Sequence, residues 1–579
     1  MANMKKLFFT IIVLLGGLTV LSAQTDYSKQ IEVTREYTPT VERAHKLSIT
    51  PSAADTVALQ PDANYSITPT PWSTPFSVGT LAHAQLSAAR WRNPGLGYLR
   101  VGGGWPLSSE ADVYITPLRS RSTNLGFYLN HEGFEDKLKN DMGVRADALS
   151  LENEAGVWLT SKLGEELDLE ADAGYSLDLF TPYGGYSVGG KEMKWSERVR
   201  YGDAHFSLSL GHDFTEVSGL KYRFGGSLNL FSATDTNKNK FAQRDFSVWG
   251  RVAYGGMGHR VDLTVRAEGR KGADKLANYN DFRLVMSPSY EFVTERNFML
   301  RLGADLIFNE TMGEQKKYVL PMVDVAFKRF YEFIPYAKID GTLGDGSYRA
   351  QTLMNPYVEG GSWTKNSLRL GGRVGATGDI GGVVNYDIFG GYDIYGLYNY
   401  FVATDSSSRF KAVARPLKVA YYGANLSLHL GPSWALRGEV QVNNPKPKSS
   451  ESASLSALYA GVGLRGLEGD VALHYNYKSK WAVALGARLL GEGCSVVNVG
   501  SVPSGGSGAD QPIVTPMEDN YVEAKLPAAT DLYLNVEYRP RSKFAVYLSG
   551  ANLLNQKLYD FIHYPLPGVN VKAGVKVTF

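Results

Sequence analysis

The chain has 579 residues, 44% of them hydrophobic, with a formal charge of +2 and a mean hydropathy of −0.21. So small a charge excludes a field built for nucleic acid, and a single cysteine, Cys494, excludes an internal disulfide or a cysteine-based metal site. The counts of 35 Tyr, 25 Phe and 62 Gly suit strands, turns and aromatic belts.

In chain order, the first expected element is a secretory leader over residues 1–24. Lys5 and Lys6 give a positive start, residues 7–21 an apolar run, and Ser22-Ala23-Gln24 a small-residue exit. Cutting after Ala23 would place Leu21 at the −3 position. No cysteine follows the apolar run, so a lipid anchor on an N-terminal cysteine is not expected. An uncleaved membrane anchor is the competing reading, though the run is shorter than the ~20 residues a spanning helix needs. Removing the leader with its two lysines leaves the chain without net charge.

Residues 25–75 carry Pro39, Pro51, Pro61, Pro69, Pro71 and Pro75 among polar residues, which predicts an extended segment. It would either fill a lumen or hang into the periplasm.

From Phe76 to the terminal Phe579 the sequence turns to short alternating runs separated by turn residues. Val569, Val571, Ala573, Val575, Val577 and Phe579 fall on one face of a final strand, and Asn570, Lys572, Gly574, Lys576 and Thr578 on the other. Leu532, Leu534 and Val536 alternate with Tyr533, Asn535 and Glu537. Val261, Leu263 and Val265 alternate with Asp262, Thr264, Arg266 and Glu268. Leu300, Leu302 and Leu306 alternate with a set that holds Arg301 and Asp305, and Leu167 and Leu169 with Glu166, Asp168, Glu170 and Asp172. Such alternation averages out in hydropathy and fits a barrel with lipid outside and water inside. A soluble secreted β-protein alternates too; strand number, strand length and the leader favour the membrane.

Counting runs gives roughly 20 to 24 strands of ~10 residues. Residues 92–95 and 539–542 read as short turns, and residues 181–197, 344–366, 402–413, 440–455 and 490–522 as longer connections. Bacterial barrels keep short turns in the periplasm and longer loops outside. Counting back from a periplasmic end puts 490–522 outside, as its length suggests, but puts 440–455 on the periplasmic side, against its length.

Two regions resemble a known family. The tail from Phe544 through Asn552-Leu553-Leu554-Asn555 and Tyr559, then Tyr564-Pro565-Leu566-Pro567-Gly568 and a last strand closing on Phe579, resembles the end of TonB-dependent receptors. The resemblance implies that Val575, Val577 and Phe579 form the signal read by the barrel-assembly machinery. Ile31, Glu32, Val33 and Thr34 resemble a TonB box, an extended segment that adds as a strand to the energy-coupling protein; an ordinary extended segment reads the same way. The leader's ending and the general texture resemble proteins of the Bacteroidota. Receptors of that family carry a plug domain, and the fifty-odd residues available here hold too little periodic apolar sequence for one. The resemblance is thus to a receptor without a full plug, in which TonB-driven uptake lacks an evident gate.

Enzymatic constellations do not emerge. His205, His212 and His474 lie on strand-like runs without ligand spacing. Gly461, Gly463 and Gly466 match a dinucleotide fingerprint in letters only, because a further strand follows instead of a helix. Acidic faces such as 166–172 read as a wet wall paired with Arg and Lys from neighbouring strands. The cluster of Tyr386, Tyr392, Tyr395, Tyr398 and Tyr400 reads as an interface girdle in preference to a sugar-stacking platform.

The fold expected is all-β: a large antiparallel transmembrane barrel of about 22 strands over residues 76–579, in the outer membrane, with both ends in the periplasm. Asp262, Arg266, Glu268, Arg301, Asp305, Lys572 and Lys576 are the expected lumen lining. The first function expected is a receptor-like barrel that conducts or binds a solute. The alternative is a non-transporting scaffold or accessory subunit that binds another envelope protein, and a barrel enzyme ranks below both. Partners expected are outer-membrane lipid, the barrel-assembly machinery and either TonB or another envelope protein, with no nucleic acid, no metal and no cofactor.

Overall fold

Alternation at period two commits each segment to one wet and one greasy face, and a sheet in lipid can leave no edge unpaired. The computed structural model describes residues 95–139, 145–184, 197–294, 297–404, 409–447, 463–498, 515–516 and 521–579. The leader, the segment 25–75 with Ile31, Glu32, Val33 and Thr34, and residues 76–94 lie outside the described residues.

Twenty-two strands form one closed antiparallel ring. Each pairs with its neighbours in sequence. The last, Asn570–Thr578, pairs with Phe544–Ala551 on one side and with the first, Gly97–Trp105, on the other. At that seam Gly102 faces Gly574, and a Cβ on either would collide with the Tyr547 hydroxyl, which donates to Glu110 inside the barrel. Three short strands, Gly493–Asn498, Thr515–Pro516 and Tyr521–Leu526, lie in the connection between Trp481–Leu490 and Ala529–Arg541 and stand outside the ring.

Strands run from 8 residues in Phe544–Ala551 to 21 in Val384–Thr404 and Phe410–Leu430. A tilted strand needs only about 9–11 residues to cross a bilayer. The long strands therefore continue beyond the hydrocarbon as a collar.

Outward side chains form an apolar surface, with Phe127, Phe206, Phe224, Val248, Val261 and Leu302 all more than two-fifths exposed. Inward side chains are polar. No helix among the described residues is long and apolar enough to cross a membrane, so the crossing is made by strands. This closed barrel with its apolar belt places the protein in the outer membrane.

Connections sort by end. The turns at 164–166, 257–258, 381–383, 431–433, 478–480 and 542–543 are short and share one end, the turn end. The connections at 181–198, 344–367, 405–409, 448–466 and 491–528 share the other, the loop end. The expected side of 440–455 is corrected. Its residues up to Pro447 belong to the strand Trp434–Pro447, and only two ring strands, Leu467–Tyr477 and Trp481–Leu490, separate the following connection from 491–528. An even number of strands returns the chain to the same end.

Candidate functional site

Most of the expected lining residues meet opposite charges. Arg251 and Arg260 hold Asp262 at 2.6 and 2.9 Å. Arg266 lies 3.6 Å from Glu268, which also accepts from Arg270 at 2.9 Å. Arg301 reaches Ser289 at 3.5 Å, and Asp305 keeps one buried oxygen without a partner. Lys572 meets Glu132 at 2.7 Å and Lys576 meets Glu537 at 2.5 Å. Of the acidic run 166–172, Glu170 meets Arg223 at 2.7 Å and Asp172 meets His205 at 2.8 Å. These charges mostly neutralise one another across strands and make a wall.

Sequence reading missed what crosses the mouth. Residues 344–367 leave the strand Ile334–Leu343, turn inward and form helix α1, Tyr348–Met354. Ser347 caps α1, its hydroxyl accepting from the Ala350 amide, and Asn355 with Pro356 ends it. That Ser-to-Asn-Pro punctuation was available in the sequence. Ser347, Gln351 and Asn355 are fully buried. Arg349 bridges to Asp203 at 2.6 Å, with Asp245 at 3.8 Å. Asp345 meets Arg270 at 2.9 Å, and Arg270 in turn meets Asp281 at 2.7 Å. Asn366 donates to Asp281 at 2.9 Å and to Asn309 at 3.0 Å. Arg283 donates to the Leu343 and Gly344 carbonyls at 2.7 and 3.1 Å. Wall residues of the strands Val199–His212, Lys240–Gly256, His259–Asp274, Asn280–Val293 and Phe298–Thr311 thus clamp one inward segment, as a lid.

Aromatic residues from other loops seal onto the lid. Tyr357 stacks on Tyr564 with centroids 3.7 Å apart. Tyr183 packs edge-on against Tyr564 at 5.0 Å and donates its hydroxyl to the Pro565 carbonyl at 3.1 Å. Phe410 and Phe561 close the cluster. Burial pushes the Tyr183 and Tyr357 hydroxyls well above their ordinary range, so they stay neutral donors. The tyrosine cluster of Val384–Thr404 divides. Tyr392 is exposed, whereas Tyr398 packs at 5.0 Å against both Tyr395 and Tyr400 on the inside, with a bulge between Tyr395 and Tyr398. The girdle reading fails for those three: Tyr395 falls on the face of Asp393 by ordinary alternation, whereas Tyr398 and Tyr400 lie beyond the bulge, which changes which side chains face inward.

Beneath the lid lie three cavities with shared walls. One of about 440 Å³ touches the lid at Asp345 and Met354 and is lined by Tyr395, Tyr398 and Cys494. It shares Gly463, Leu526 and Asp560 with a second of about 570 Å³, lined by Gln441, Arg465, Glu468 and Arg488. A third of about 850 Å³ continues toward the turn end past Asp387, Arg437 and His474, sharing Glu439 and Asp470 with the second. Among the described residues, Glu439, Glu468 and Arg488 have no ion-pair partner. They face water-sized space, in contrast to the paired wall opposite.

In fold the barrel is similar to those of solved receptors and transporters. The ferripyoverdine receptor of the outer membrane of Pseudomonas aeruginosa matches with 12% identity and a TM-score of 0.58, over 83% of this chain and 71% of that one. The FrpB iron transporter from Neisseria meningitidis gives 11%, 0.61, 84% and 82%. The ferric-catecholate import receptor Fiu from E. coli gives 9%, 0.57, 83% and 81%. At such identities the likeness is one of fold. No protein-family model and no curated protein matches the chain in sequence.

Cys494, expected in an irregular loop, sits instead on the strand Gly493–Asn498, half-buried, with its thiol 3.5 Å from Glu523. Burial, reinforced by the Glu523 carboxylate, pushes that thiol up to about 12.

Proposed function

We propose that this chain is a receptor-like outer-membrane barrel that binds a polar, charged solute beneath its inward-folded lid, and is not a standing open pore. The lid carries the reading. Residues 344–367 cross the mouth and are clamped by Arg349 to Asp203 and by Asp345 to Arg270, whereas a diffusion pore keeps its mouth wet. The chamber below offers Glu439, Glu468 and Arg488 as binding groups. Asp262, Arg266, Glu268, Arg301, Asp305, Lys572 and Lys576 serve as wall in this reading.

Short turns are periplasmic in bacterial barrels, so the lid faces the outside and the solute arrives there. The neighbouring folds named as receptors and an iron transporter support the class of activity by analogy alone. In this reading residues 25–75 are a periplasmic or lumen-filling segment, as their proline-rich sequence leads one to expect. Ile31, Glu32, Val33 and Thr34 are offered to TonB as an added strand.

Single-channel conductance of the purified full-length protein tests it, beside Arg349→Ala and a deletion of residues 25–75. The full chain is expected to be silent, and the doubly altered chain to conduct. Steady currents from the unaltered protein would sink the proposal. Silence of every form favours the scaffold alternative, which a pull-down from the envelope then addresses.

A further inference from the structure

We propose that the turn end carries a binding surface for anionic phospholipid headgroups, formed by Lys478, Lys480, Arg541, Lys543 and Arg121. It is independent of the solute chamber.

The five cations sit on three turns that follow one another around the ring: 478–480, 542–543 with its flank, and 120–122. Between the second and third lies only the seam of the last strand and the first. All five are exposed, and among the described residues none has a carboxylate within ion-pair distance. The acid closest in sequence to Arg541, Glu537, is already engaged by Lys576 and Arg539. Acidic turns lie elsewhere around the same rim, at Glu165, Glu166, Asp213 and Glu216, all exposed. A second exposed cationic turn, with Lys328 and Arg329, lies at the same end between Glu314–Phe327 and Ile334–Leu343, but it holds two cations where the arc gathers five.

The arc's height is fixed by what precedes it. Trp434 packs on Tyr475 and Trp481 on Tyr538, each pair with centroids 4.4 Å apart. Trp434, Tyr477, Trp481 and Tyr538 are all more than a third exposed on the outer surface. Aromatic rings of this kind settle at the headgroup level. The chain continues from Tyr477 straight into Lys478, from Lys480 into Trp481, and from Lys543 into Phe544. The cations thus flank the aromatic rings directly, the Lys478 ammonium lying over the Tyr477 ring, 5.0 Å from its centroid. Lys478 occupies φ 49°, and Ser479 φ 55°, left-handed positions that favour Asn and Gly in a two-residue turn. A lysine there gains nothing from the turn itself.

Cations at a membrane surface attract anionic lipid, and several together give selectivity on the order of tenfold over zwitterionic lipid. The test uses the full chain reconstituted in vesicles of phosphatidylethanolamine with either brominated phosphatidylglycerol or brominated phosphatidylcholine. Quenching of Trp481, isolated by subtracting a Trp481→Phe sample, reports the lipid beside it. Expected is stronger quenching by the brominated anionic lipid, lost at high salt and lost in a Lys478→Gln, Lys480→Gln, Arg541→Gln, Lys543→Gln variant. Heat-modifiable migration of that variant confirms that its barrel has closed. Equal quenching by both lipids in the parent overturns the proposal. So does a preference that survives in the folded variant. Tight capture of soluble polyaspartate with no lipid preference would assign the arc to an acidic periplasmic protein and overturn it as well.

Discussion

Arg349 of α1 and Asp203 of the strand Val199–His212 meet across the barrel interior, the two guanidinium contacts measuring 2.6 and 2.7 Å. The Tyr201 hydroxyl of the same strand donates to the lid's Pro356 carbonyl at 3.0 Å, so two side chains of Val199–His212 hold the lid.

Replacing Arg349 by alanine is expected to undock the helix without opening the ring. Both partners are partly exposed, so the loss is about 1–3 kcal/mol and not the larger cost of a fully buried pair. Hydrogen exchange should rise in 344–367 while the strand ladders keep their protection. Unchanged exchange in that segment would show that the aromatic seal alone holds the lid.

Tyr564→Ala removes the partner that Tyr357 stacks on and a wall of Tyr183. A buried aromatic truncation costs about 3–5 kcal/mol, and here it falls on the loops. Limited proteolysis from outside is expected to cut 551–569 or 344–367 in the variant and to spare them in the parent.

The Cys494 thiol, held up to about 12 first by burial and then by Glu523, stays protonated through the neutral range. A maleimide at pH 7 is expected to label the folded protein far more slowly than the unfolded chain. Because the shift is upward, labelling should quicken as pH rises, and Glu523→Gln should hasten it only modestly, since burial remains. Fast labelling at pH 7 would contradict the placement of the thiol.

Val575→Arg and Lys576→Gln test the two faces of the closing strand. On a lipid face an arginine costs about 2–4 kcal/mol at mid-membrane, whereas Lys576 points inward to Glu537. Unfolding from vesicles in denaturant should show a large loss for the first substitution and a small one for the second. The reverse order would invert the barrel wall.

Phe579→Ala separates assembly from stability. The Phe579 amide donates to Gly97 at 3.0 Å through the backbone, a bond that alanine keeps. If Val575, Val577 and Phe579 act as a recognition signal, the variant should refold normally in detergent yet accumulate poorly in the outer membrane of cells.

Which parts were legible follows from the range of the forces involved. The faces of Asp262 and Val261 are decided by period two within one strand, so they could be read locally. Parity failed near 440–455 because a strand boundary at Pro447 and the next strand's start at Leu467 are set by pairing partners remote in sequence. The lid was invisible for the same reason. Arg270 and Asp345 are 75 positions apart in numbering, and nothing local to either signals that they will meet. Tyr398 and Tyr400 were misassigned because a bulge shifts register by tertiary fit, which composition does not encode, whereas the opposite faces of Tyr392 and Tyr395 follow from alternation alone.

The first and last strands of the ring are neighbours only because Asn570–Thr578 hydrogen-bonds to both Gly97–Trp105 and Phe544–Ala551. Until that strand arrives, the other twenty-one form an open sheet with two bare edges. A ring that lacks this strand would expose two rows of unpaired backbone groups to lipid. The growing chain must be chaperoned as a sticky, edge-bearing intermediate until release. A frameshift that spares all but the final ten residues would be as damaging as one near the beginning.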